Sequence, residues 1–196
     1  MKLKIAVFAS HGGSNLQAII DGIKENKLAG TIEVVISNNS NSFALERAKK
    51  ENIPCYHVST YKFDDVEKEI LRLLHKYDVN IIVLAGYMKK LPLTIIKQYK
   101  NHILNIHPAL LPKFGGKGMY GLNVHKAVIE KKEKYSGATI HLVDEYYDQG
   151  KILNQKAIKV DEKDSPETLA KKVLLIEHKI YLETLIMIAN GKIMLK

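Results

Sequence analysis

Short apolar runs alternate with longer amphipathic stretches through the first half of the chain. Lys4 to Ala9, Glu33 to Ser37 and Ile81 to Ala85 are rich in Val and Ile with little polar interruption, the pattern of strands covered on both faces. Between them, Leu16 to Asn26, Phe43 to Asn52 and Val66 to Tyr77 carry apolar residues at helical spacing. Repeated strand–helix units of this kind predict a parallel sheet with helices on both faces. Cys55 to Val58, after Pro54, predicts a short edge strand.

The second half changes rhythm. Ile103 to Ile106 predicts a fifth strand that runs into Asn105-Ile106-His107-Pro108. A glycine-rich loop, Gly115 to Gly121, leads to a helix over Leu122 to Glu130, and Ala138 to Val143 and Ile152 to Val160 predict two further strands. Ser165-Pro166 opens a long last helix, with Ser as N-cap and Pro at the first helical position. No linker, repeat or low-complexity tract interrupts the 196 residues, so one domain over 1–196 is expected. The fold class predicted is α/β and Rossmann-like: a mostly parallel central sheet with helices on both faces and antiparallel strands in the C-terminal part.

Composition narrows the class. Apolar residues make up 46% of the chain, which excludes a disordered or fibrous protein. No apolar run approaches the ~18 residues that span a membrane, and Met1 to Ala9 lacks the apolar core and cleavage site of a signal peptide. A lone cysteine, Cys55, excludes an internal disulfide and fits a reducing, cytoplasmic setting. The formal charge of +9 raises the question of nucleic acid. Yet only Arg47 and Arg72 are arginines, the residue suited to bidentate contacts with guanine or phosphate. Lysine pairs such as Lys49-Lys50 and Lys171-Lys172 are scattered over expected helix surfaces. A solvated lysine-rich surface, with some attraction for a phosphorylated substrate, is the reading this supports; a nucleic-acid partner is not expected.

Two segments carry candidate chemistry. The loop Ser10-His11-Gly12-Gly13-Ser14-Asn15 joins the first strand to the first helix, where backbone N–H groups and the helix dipole favour an anion. The same Gly-Gly turn serves equally as a plain tight turn. It lacks the third glycine of a dinucleotide fingerprint, and the second strand ends in Ser37-Asn38 rather than in an acidic residue. The second segment is the strand end at Asn105 and His107, two apart and so on one face. An amide beside a histidine suits a carbonyl carbon that becomes tetrahedral, with Asn holding the oxyanion and His supplying a proton. A carboxylate such as Asp148 would favour the imidazolium form. Read alone, Asn-x-His-Pro is more often structural than catalytic. Glu177 lies on a helical stripe with Val173, Leu174, Ile180 and Tyr181, where a buried carboxylate needs a partner; a ligand hydroxyl, a lysine or a backbone amide would serve equally.

Five blocks, in order, change that balance: Ser14 to Ile19, Leu84-Ala85-Gly86-Tyr87-Met88, Leu104 to Pro112, Ser136 to His141, and Asp148-Gln149-Gly150. Together they closely resemble the phosphoribosylglycinamide formyltransferase family, folate-dependent enzymes of purine synthesis, over nearly the whole chain. The resemblance implies transfer of a formyl group from 10-formyltetrahydrofolate, as co-substrate and without a metal, to the amine of glycinamide ribonucleotide. It implies that Gly13, Ser14 and Asn15 bind the substrate phosphate, that Pro108 borders the amine and that Glu177 contacts the ribose. Met88, Lys89, Lys90 and Leu91 would line the pterin pocket, with Asn105 touching the formyl group and Lys62 standing where the family often has an arginine near the folate. Asn105, His107 and Asp148 match the catalytic trio, in which Asn105 and a protonated His107 stabilise the oxyanion while Asp148 positions His107 and a water. The expected partners are these small molecules, with no membrane and no nucleic acid, in a monomer or homodimer.

The chain departs from the family pattern at His11, at Lys89-Lys90, at Gln149 and Lys151 around Gly150, and in a longer Gly115 to Gly121 segment, which reads equally as a mobile lid or a surface loop. Relatives that formylate methionyl-tRNA or hydrolyse formyl-folate are expected to carry an extra domain, for which this chain has no evident segment; sugar formyltransferases are disfavoured by Ser14-Asn15 and Glu177. The competing class is a non-catalytic phosphate- or RNA-binding module, with affinity falling steeply with salt. The scattered tyrosines do not form the stacking platform it needs.

Overall fold

The computed structural model describes residues 2–195. A seven-stranded sheet runs through it in the order β3-β2-β1-β4-β5-β6-β7. Strands β1 (Leu3–Phe8), β2 (Gly30–Ser37), β3 (Cys55–His57), β4 (Ile81–Leu84) and β5 (Ile103–His107) pair in parallel. The last two, β6 (Tyr135–Leu142) and β7 (Ile152–Lys159), pair antiparallel. Helices α1 (Ser14–Lys24), α2 (Phe43–Lys50), α3 (Val66–Lys76), α4 (Leu93–Gln98), α5 (Leu122–Glu130) and α6 (Pro166–Ala189) complete the chain.

The unbroken apolar runs are explained by two cores, one on each face of the sheet. In β1, Leu3, Ile5 and Val7 enter one core, while Ala6 and Phe8 enter the other, as the two-residue period of a strand requires. Leu16 and Ile19 of α1 and Tyr181 and Leu185 of α6 close the first face. Ile70, Leu73 and Leu74 of α3 close the second, with Ile95 of α4. Buried apolar area of this kind is the main stabilising term of the fold.

Helix α6 ties the two halves together. Ser165 Oγ accepts from Thr168 N at 3.3 Å and Thr168 Oγ1 accepts from Ser165 N at 2.9 Å, a reciprocal cap that fixes its start. Deeper in, the buried Tyr181 hydroxyl donates toward Leu84 O at 3.1 Å, the last residue of β4, and Leu104 O at 3.0 Å, the second residue of β5. The residues that follow, Gly86 to Lys90 after β4 and Asn105 to His107 of β5, line the cleft described below.

The architecture matches the expected α/β, Rossmann-like class. Two details differ from the sequence reading. Helix α4 was not anticipated: its six residues are too few to show a helical period. Strands β2 and β6 begin at Gly30 and Tyr135, upstream of the expected Glu33 and Ala138, because those first residues are recruited by pairing with Leu3 and Lys159 rather than by side-chain pattern. Among the described residues no helix is long and apolar enough to cross a membrane.

Candidate active site

The first wall of the site is a turn fixed by the backbone. Gly13 has φ 66° and precedes α1, and a Cβ there would lie 2.8 Å from Ala44 Cα. Glycine is the residue that fits both demands. The first N–H groups of α1 are left without helical acceptors, at the positive end of its dipole. Arg47 bolts the turn from outside, donating from Nε to Gly12 O at 2.9 Å and from Nη1 to Gln17 Oε1 at 2.9 Å. Ser10 Oγ donates to Asn38 Oδ1 at 2.5 Å and accepts from Met88 N at 2.8 Å, which ties this turn to the 87–90 segment. His11 is exposed, and its carbonyl, rather than its ring, is engaged, by Ser42 Oγ at 2.8 Å. Buried Asn15 donates from Nδ2 to Glu177 Oε2 at 2.8 Å, while its Oδ1 has no partner. Burial pushes the Glu177 carboxyl above its ordinary pKa, and the Asn15 contact offsets this only in part.

The second wall is a network of side chains. Asn105 and His107 share a face of β5, and the antiparallel register sets His141 of β6 directly across from Asn105. Asp148 then bridges the two histidines, with Oδ2 3.5 Å from His107 Nδ1 and Oδ1 3.5 Å from His141 Nε2. The remaining ring nitrogens are engaged by main chain: His107 Nε2 donates to Phe114 O at 2.7 Å, and His141 Nδ1 donates to Leu142 O at 2.9 Å. His141 Nε2 lies 3.0 Å from Asn105 Nδ2 and accepts from it when the ring is neutral; protonated, it donates toward Asp148 Oδ1.

Asp148 has a left-handed backbone, φ 56°, and its Oδ2 accepts from the Gly116 N–H at 2.9 Å. A Cβ on nearby Gly150 would lie 1.7 Å from Leu142 O, so the turn after Asp148 admits only glycine there. Burial by itself would raise the Asp148 pKa, but His141, His107 and the Gly116 amide together hold it below the ordinary value. His107 moves the other way for a histidine beside a carboxylate. Burial lowers its pKa by more than Asp148 and the Phe114 carbonyl raise it.

Both walls open on one cleft of about 400 Å³. It runs from Asn15 and Glu177, past Asn105, His107, Pro108 and Asp148, to Tyr87, Met88, Lys89 and Lys90. The Gly116 to Gly121 segment forms one of its sides. A smaller pocket of about 100 Å³ adjoins it between Leu84, Leu91, Ile96 and Val143. Lys90 Nζ stands 5.2 Å from the Tyr147 ring centroid at the boundary of the two. Gly13 and Ser14 form the turn beside Asn15. Lys62 is not among the residues lining the cleft: it is exposed, with Nζ 5.6 Å from the ring centroid of its neighbour Phe63. Among the described residues no group of three or more His, Cys, Asp or Glu could hold a metal ion.

The sequence model of the formyl transferase family matches residues 3–185. The chain belongs to that family. This formyl transferase is 43% identical, over 97% of its length, to the chloroplastic phosphoribosylglycinamide formyltransferase of Arabidopsis thaliana, and spans 66% of that protein. It is 35% identical to the phosphoribosylglycinamide formyltransferase of Escherichia coli (strain K12), over 97% of this chain and 89% of that one. Among solved structures, glycinamide ribonucleotide transformylase 1 from Symbiobacterium toebii superposes with a TM-score of 0.92 at 34% identity, covering 100% of this chain and 91% of that one.

His141, Arg47 and Phe114 of the candidate site escaped the sequence reading as members of it, and Ser10 was read there only as part of the first loop. His141 enters the sequence reading only as the last residue of the Ser136 to His141 block; the antiparallel register sets it opposite Asn105. Ser10 and Arg47 act on turn geometry, and Phe114 acts through a carbonyl. Main-chain roles leave no residue-type signature.

Proposed function

We propose that this chain transfers the formyl group of 10-formyltetrahydrofolate to the amine of glycinamide ribonucleotide, giving N-formylglycinamide ribonucleotide and tetrahydrofolate. The observation that carries the reading is Asp148 bridging His107 and His141 beside Asn105, midway along one cleft. One end of that cleft, at Asn15 and Glu177 beside the Gly13 turn, suits a ribose and its phosphate. The other end, with the apolar pocket at Leu84, Leu91 and Ile96, suits a flat pterin ring. The formyl carbon would then sit at Asn105 and His107.

In this scheme the amine nitrogen attacks the formyl carbon, and the carbonyl oxygen becomes an oxyanion. One Asn105 Nδ2 hydrogen is given to His141, and the second is available to the oxyanion. His107 differs from the expectation of a standing imidazolium. Burial favours its neutral form, and with Nε2–H committed to Phe114 the Nδ1 lone pair is the acceptor. Nδ1 takes the proton shed by the amine, and the resulting imidazolium is held against Asp148. As the bond from carbon to the folate nitrogen breaks, that proton passes to the leaving nitrogen, directly or through a water held by Asp148. Proton and electron pairs balance, and His107 returns to neutral. The reading carries with it a single formyltransferase domain over 1–196, acting in the cytoplasm as a monomer or homodimer.

The test is absorbance-monitored deformylation of a 10-formyl-folate analogue with and without glycinamide ribonucleotide. Release that requires the amine supports the transferase. Release without the amine would replace it with a hydrolase, and no release under either condition would overturn it.

A further inference from the structure

The segment from Phe114 to Gly116 touches both members of the His107–Asp148 pair from one side. The Phe114 carbonyl accepts from His107 Nε2 at 2.7 Å. Two residues on, the Gly116 N–H donates at 2.9 Å to Asp148 Oδ2, the oxygen that faces His107 Nδ1. Phe114 has φ 58°, in the left-handed region that bulky residues avoid. Its conformation is not explained by its residue type; glycines occupy the next two positions. The ring supplies the reason: half-buried, it packs against the core of the sheet face closed by α1 and α6. Lys131 Nζ stands 5.3 Å from the ring centroid.

We propose that Phe114 is a positioning residue whose anchored ring makes the Phe114 carbonyl and the Gly116 amide a two-point clamp, fixing His107 as the Nε2–H tautomer and turning Asp148 toward its Nδ1. This deepens the reading of His107 as the proton carrier and rests on it for its effect on turnover. The clamp commits one ring nitrogen to the main chain, so that proton exchange is confined to the other. The groups that face the His107 ring are Asp148 from the turn before β7, His141 from β6 and His125 from α5. Of the main-chain and side-chain contacts, only Asp148 and the Phe114 carbonyl favour the charged ring. Losing the carbonyl leaves Asp148 alone against burial and His141, which moves the His107 titration to lower pH.

Nitrogen-15 NMR of the histidine rings, without substrate, reads the tautomer in the wild-type protein and in Phe114→Gly, in which the backbone is free of strain but the anchor is gone. The expected result is a neutral Nε2–H ring at His107 in the wild type and a tautomer mixture in the variant. With substrates, Phe114→Gly is expected to lose tenfold or more in kcat with little change in the nucleotide KM, and to shift the His107 limb of the pH profile downward. Phe114→Tyr, which keeps the ring, is expected to restore all three. A wild-type Nδ1–H ring would overturn the clamp without any variant, as would an unchanged tautomer and pH profile in Phe114→Gly. Because the tautomer is read without substrate, a chain that fails to transfer formyl groups would sink the proposed activity while leaving the clamp separately tested.

Discussion

The turn at Ser10 to Asn15 and the strand end at Asn105 to Pro108 sit on the same edge of the sheet, yet they are made from different materials. The turn is main chain: a left-handed glycine, a helix start and carbonyls bolted by Arg47 and Ser42. The strand end is side chain: two histidines and a carboxylate, each within reach of the next. A phosphate carries charge throughout the reaction, so fixed dipoles suffice to hold it. A proton in transit needs groups that change charge, and these must be buried and paired to titrate in a useful range. On the proposed reading, one wall holds and the other changes.

The sharpest break of that division is expected at the strand end. His107→Ala or Asp148→Asn should lower kcat by roughly 10²–10³, the usual cost of one such group, while nucleotide affinity by calorimetry stays within a few-fold. If affinity fell in step with turnover, the strand end would also be part of the holding wall. The mirror experiment is Gly13→Ala. A left-handed alanine costs roughly 1–2 kcal/mol, and its Cβ would also meet Ala44 Cα at 2.8 Å. Thermal unfolding should drop by about 2–8 °C, and the nucleotide KM should rise tenfold or more, with kcat at saturation much less affected. A selective loss of kcat would show that the turn contributes to chemistry.

The same division governs what could be read from the sequence. Parallel strands buried on both faces show as Val- and Ile-rich runs, so β1, β4 and β5 were found within a residue or two of their ends, and α5 at its own bounds, Leu122–Glu130. Asn105, His107 and Asp148 were singled out by the family resemblance, since residue type alone left Asn-x-His-Pro more often structural than catalytic. Their partners were not. His141 meets Asn105 across 36 positions of sequence, and Phe114 contributes only a carbonyl. Lys62, placed near the folate by the resemblance alone, stands over Phe63 and outside the cleft lining. Long-range register and main-chain geometry are properties of the assembled sheet, and residue type carries little of either.

Glu177 is where the holding wall departs from pure main chain, and the effect expected there is the smallest. Burial raises its pKa above the unfolded value near 4.5, with Asn15 offsetting only part of the shift. The folded state therefore binds this proton more tightly than the unfolded state. Its stabilising contribution is full below about pH 4.5 and is lost as pH rises through the raised folded value. Above that pH the wild type bears the cost of a partly paired carboxylate, which Glu177→Gln does not. The difference in Tm, variant minus wild type, should rise across that window and be positive at neutral pH, while the nucleotide binds less tightly to the variant. A flat difference would mean that Glu177 is solvated or paired in solution and costs the fold nothing. A rising difference with weakened binding would mean that the holding wall keeps an unfavourable charge for the ligand's hydroxyls.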